Sequence, residues 1–103
     1  MRLKDNSVII QGIRPELLFA MQVVDGVYDT HGQELVITSV VDGGHDFTSL
    51  HYSGGAFDAR TFYFTVKVLH SVHREIKKRL GVDFDVVLES NHMHIEYQPK
   101  RRS

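Results

Sequence analysis

The chain has 103 residues, 42% of them hydrophobic and 24% charged, the composition of one globular domain with a modest core. It contains no cysteine, so neither a disulfide framework nor a thiolate metal site can support it, and any metal must be held by nitrogen and oxygen ligands. A net charge of −1 argues against a protein that works by neutralising many nucleic-acid phosphates, since the basic run Lys100-Arg101-Arg102 is confined to the tail.

The first residues, Met1-Arg2-Leu3-Lys4-Asp5-Asn6, lead into only a short apolar run, Val8-Ile9-Ile10, which lacks the form of a signal peptide. No segment is long and apolar enough to span a bilayer. The expectation is a monomer made in the cytoplasm, inserted in no membrane.

Pro15 after Arg14 suits a helix start, and Leu17, Leu18, Met21, Val24 and Tyr28 recur at helical spacing, so a helix is expected over 15–30, ended by His31-Gly32. The β-branched run over 34–41 reads as a largely buried strand that ends at the turn Asp42-Gly43-Gly44. From His45 to Gly55 the chain turns to Gly, Ser, His and Tyr, a loop able to aim several side chains at one point. The alternation over 56–60 then carries Asp58 out of that loop on a strand. Val66, Leu69, Val72 or His73, Ile76 and Leu80 form a second amphipathic helix, closed by Lys77-Lys78-Arg79 and Gly81. Two strands, over 82–88 and 93–97, follow with Glu89-Ser90-Asn91 as a tight connection. The order predicts one α+β domain spanning 1–103, a small antiparallel sheet with two helices.

Two clusters carry the chemistry. On a strand, His92, His94 and Glu96 project to one side and Met93, Ile95 and Tyr97 to the other. Burying two histidines and a glutamate is costly without partners, and a metal with its hydrogen-bonded surroundings would satisfy all three; an edge strand facing solvent would do so as well. In the central cluster, Gly54-Gly55 lets the chain double back so that His51 and Asp58 reach one ion. Catalytic zinc takes three imidazole or carboxylate ligands and leaves a fourth position open, so His51, Asp58 and one of His92 or His94 are a sufficient set.

The spacing Ser49-x-His51-x-x-Gly54-x-Ala56-x-Asp58, with the late His94-Ile95-Glu96-Tyr97, resembles the zinc D-alanyl-D-alanine carboxypeptidase and dipeptidase family. That family includes phage endolysins and L-alanyl-D-glutamate endopeptidases and shares its fold with the hedgehog signalling domain. The resemblance implies a hedgehog/DD-peptidase-like fold and a zinc peptidase acting on peptidoglycan stem peptides after phage- or lysis-assisted release. It makes His51, Asp58 and His94 the zinc ligands, with Ser49 orienting a ligand or the loop and Gly54 and Ala56 providing a tight turn and a small side chain.

The catalytic base departs from the family pattern, which places an acidic residue three positions before the last ligand. Counted from His94 that position is Asn91; counted from His92 it is Glu89. With His94 as ligand, His92 would lie beside the reacting water or the oxyanion and Glu89 would reach in from the turn as general base. Should Glu89 fall short, the same ligands would make a zinc-binding module that cleaves nothing. A phosphoester hydrolase is a third reading, weakened by the scarcity of basic residues in the two motifs.

Arg60 follows Asp58 at strand spacing and suits either a substrate carboxylate or an ordinary salt bridge. His45 is a candidate loop residue near the metal. His31, His70 and His73 need no function, Tyr52 and Phe57 fit either cleft walls or core, and Glu96 either supports a ligand or faces water.

Overall fold

The computed structural model describes residues 1–8, 12–42 and 55–99. The elements run β1 (Arg2–Leu3), α1 (Pro15–Thr30), β2 (Val36–Asp42), β3 (Gly55–Arg60), α2 (Val66–Leu80), β4 (Phe84–Leu88) and β5 (His92–Tyr97). They form a five-stranded sheet of order β1-β2-β3-β5-β4. The expected antiparallel sheet is corrected to a mixed one, because β1 pairs parallel with β2, Arg2 beside Val36 and Leu3 beside Ile37. The remaining pairs are antiparallel.

Both helices arise where the sequence punctuates them. Pro15 occupies the first turn of α1, where a missing N–H costs nothing, and Leu17, Ala20, Met21, Val24, Val27 and Tyr28 form its buried stripe. Leu18, expected on that stripe, is exposed instead. Thr65 caps α2 by accepting from Val68 N–H at 3.3 Å, and Gly81 ends it with φ of 80°, a conformation open to glycine at no steric cost. Val72, Ile76 and Leu80 are the residues α2 buries.

The helices and one face of the sheet share a single core that includes Leu17, Met21, Ile37, Phe57, Ala59, Val86, Met93 and Ile95. Phe57, a candidate cleft wall, belongs to this core. Strand alternation therefore sends the intervening residues, Asp58, Arg60, His92, His94 and Glu96, to the opposite face. The histidines read as structural behave so: the His73 Nε2–H donates to Val86 O at 2.8 Å and ties α2 to β4, while His31 at the end of α1 lies 3.8 Å from Glu75.

Among the described residues, no helix is long and apolar enough to cross a membrane.

Candidate functional site

The polar face is assembled by register. Strand β3 pairs with β5 so that Asp58 sits opposite His94, Arg60 opposite His92 and Ala56 opposite Glu96. On the other side of β3 the pairing moves from Ile37–Ala59 to Ser39–Asp58, a bulge that takes up an extra residue at Thr38. Such a bulge bends the strand and re-aims its side chains, and this one lies directly beside Asp58.

At the centre, His94 Nδ1 and Asp58 Oδ1 are 2.8 Å apart, two residues 36 positions apart in sequence. The other ring nitrogen, Nε2, lies 3.1 Å from Glu96 Oε1, and Gln98 Nε2 donates to Glu96 Oε2. With a carboxylate at each nitrogen, the metal-free imidazole donates both ways when it is doubly protonated. Burial disfavours the charged ring, but hydrogen bonds to the Asp58 and Glu96 carboxylates and their negative charge outweigh it and raise the His94 pKa above its ordinary value.

His92 is held differently. Its Nδ1–H donates to Asn91 Oδ1 at 2.7 Å, which directs Nε2 toward Asp58, 3.9 Å from Oδ2. Asp58 thus presents one oxygen to each histidine. The side chains of Asp58, His92 and His94 are 24%, 31% and 33% exposed, open enough to be reached yet fixed by their neighbours.

These donors can be tested against zinc. Two atoms bound at about 2.1 Å in tetrahedral geometry stand about 3.4 Å apart. The His94–Asp58 pair is closer, as a hydrogen bond must be, and the His92–Asp58 pair is wider. Replacing the Nδ1 proton of His94 by an ion requires a separation of about half an ångström, with Nε2–H still donating to Glu96, the arrangement usual for a metal-bound histidine. The donor chemistry fits; among the described residues no group of three such side chains surrounds one point as a metal site. The expected third ligand His51, with Ser49, His45, Tyr52 and Gly54, lies outside the described residues.

Glu89 stands at the hairpin between β4 and β5, its backbone N–H donating to His92 O at 2.9 Å. Its side chain is exposed. Arg60 is not in a salt bridge with any described residue; its guanidinium rests 5.4 Å from the centre of the Phe62 ring. Beside it, Lys4, Thr38, Arg60, Phe62, Asn91 and His92 line a cavity of about 390 Å³.

Sequence reading missed four of those six residues as contributors, namely Lys4, Thr38, Phe62 and Asn91. Asn91 alone had a signal, since it occupies the position where an acidic residue was expected. Lys4 had none, as its place beside Arg60 depends on β1 joining the edge of the sheet. Known protein families, curated proteins and solved structures all lack a match to this chain.

Proposed function

We propose that the protein is a zinc-dependent peptidase of the kind its two motifs resemble, hydrolysing peptide bonds in the stem peptides of bacterial peptidoglycan. The observation that carries this reading is the meeting of Asp58 and His94 on the open face, with His92 turned toward the second oxygen of Asp58 and Glu96 behind His94. The two motifs are read as one centre because their polar residues converge.

His94 Nδ1 and an oxygen of Asp58 would hold the metal, together with His51 from the connection between β2 and β3. When bound, zinc supplies a Lewis acid for the peptide carbonyl and makes a water acidic enough to ionise near neutral pH. Glu96 fixes the His94 ring by accepting from Nε2–H. His92, oriented by Asn91, offers an imidazole beside the reacting carbonyl, where a proton on Nε2 would stabilise a developing oxyanion. Glu89 would accept the proton of the attacking water and pass it to the leaving amine.

A second reading, a zinc module of the same fold without turnover, is favoured by one observation: the Glu89 side chain is exposed at the hairpin and has no bond to the Asp58–His94 pair. Elemental mass spectrometry of the tag-free chain and of His94→Ala, followed by cleavage assays on wall peptides with Glu89→Gln, decides. One zinc per chain, lost in His94→Ala, with cleavage abolished in Glu89→Gln and zinc kept, is the expected result. Zinc without cleavage in the parent would favour the module, and no zinc after reconstitution would end both readings.

A further inference from the structure

We propose that the outer face of α2 is a docking surface for an anionic phospholipid bilayer, on which the protein lies without crossing it. The inference stands apart from the metal and from peptide cleavage, since it uses no residue of the Asp58–His94 centre.

The sequence of α2 divides its circumference in two. Val72, Ile76 and Leu80 turn inward to the core. On the other side Lys67, His70, Arg74, Lys77 and Lys78 recur at helical spacing, and all five are exposed. Glu75 is the one carboxylate of the helix, and it is taken up by Arg79 at 3.1 Å. Among the described residues Lys67, Arg74, Lys77 and Lys78 are in no salt bridge. Over eleven residues, at about 1.5 Å each, they line a basic stripe about 16 Å long. The whole chain carries a net charge of −1, so the stripe is a local concentration of positive charge within a chain that has no basic excess.

Apolar side chains stand at both ends of the stripe. Val66, in the first turn of α2, is 74% exposed, and Val82, two residues beyond the last turn, is 63% exposed. A bilayer offers phosphates and, just beneath them, an apolar phase that can take such side chains, whereas a nucleic acid or an anionic wall polymer offers its charge without that layer. Three of the four cations are lysines, compact charges suited to a fluid array of headgroups, where a phosphate of fixed geometry would favour the arginine fork. Position gives the surface its use. α2 packs on the face of the sheet that carries Ala59, Met93 and Ile95, and the Asp58–His94 pair lies on the other. A chain resting on lipid through α2 therefore turns its open face away from the bilayer.

The test is co-sedimentation of the full chain with vesicles of pure phosphatidylcholine, or of phosphatidylcholine and phosphatidylglycerol in equal parts. Binding is expected on the mixed vesicles alone and should weaken as salt is raised. A cation near such a surface contributes about fivefold, so Lys77→Gln combined with Lys78→Gln should weaken binding by about 25-fold. Lys4→Gln removes a charge from the opposite face and should change binding by less than about twofold. Val66→Ser combined with Val82→Ser should weaken it several-fold at constant charge. All of these positions are exposed, and circular dichroism checks that each variant is folded. Equal binding to both kinds of vesicle, or none to either, would overturn the proposal. So would an undiminished affinity in the Lys77 and Lys78 variant, the result expected if Lys100-Arg101-Arg102 alone carried the attraction. A DNA duplex that binds as tightly as the mixed vesicles at equal phosphate concentration, with the Val66 and Val82 variant unaffected on both, would assign the stripe to a polyanion and overturn the lipid reading.

Discussion

The two faces of the sheet are made by the same strands and do opposite work. Along β5, Met93 and Ile95 are wholly buried, while His92 and His94, their immediate neighbours, keep about a third of their side chains exposed. The helix-covered face holds the fold by excluding water from apolar groups. The open face holds polar groups whose mutual hydrogen bonds contribute little to folding and fix their aim instead. Stability and chemistry are thus separable one residue at a time, which makes the difference between faces measurable.

The largest expected effect lies on the covered face. Ile95→Ala removes methylenes from a site with no exposure and should cost about 2–5 kcal/mol in denaturant unfolding. His94→Ala, one position earlier, should cost no more than about 1 kcal/mol in the metal-free chain. Similar losses at both positions would dissolve the division between faces. Zinc affinity should report the reverse. Ile95→Ala should leave the affinity of the folded fraction unchanged, whereas Glu96→Gln, which weakens the acceptor behind His94, should lower it by about 10–100-fold in competition titrations.

A smaller effect concerns protons. Burial opposes the charge on His94, but hydrogen bonds to the Asp58 and Glu96 carboxylates and their negative charge prevail, so the His94 pKa of the metal-free chain is raised above its ordinary value. A folded pKa above the unfolded one means that the imidazolium stabilises the fold fully below the unfolded value, and that this contribution fades as pH rises through the folded one. Asp58→Asn should bring the His94 pKa down in an NMR titration and flatten that dependence. An unchanged pKa would show that Asp58 is not its partner in solution.

How far these faces could be read beforehand follows from what each depends on. Both helices were legible because Pro15 and Gly81 mark their ends and the apolar spacing is unambiguous, and the alternation in 92–97 separated Met93 and Ile95 from the histidines. Asp58 and His94 were paired by the motif resemblance, with no local signal linking them. The parallel β1 strand was invisible, being two residues long and joined to β2 more than thirty positions on. The bulge beside Asp58 escaped for a related reason, since Thr38 and Ser39 look like any strand residues until the opposing register is known. Lys4 depended on β1 joining β2, and Glu89 on a turn geometry that composition does not encode.

The smallest effect tests whether the covered face has room for improvement without touching the open one. Gly26 lies inside α1, has ordinary helical backbone, and a Cβ built there would meet nothing within 4 Å. Glycine in a helix interior carries excess backbone entropy into the unfolded state, so Gly26→Ala should stabilise the chain by about 0.5–1 kcal/mol. The hydrogen bond from Thr30 Oγ1 to Gly26 O, at 2.9 Å, uses only backbone at that position and survives the change. Zinc content and the His94 pKa should stay as they are, because a methyl group added at Gly26 meets nothing within 4 Å. If the substitution moved either, the faces would be coupled through the core, and the separation drawn from β5 would hold for packing but not for function.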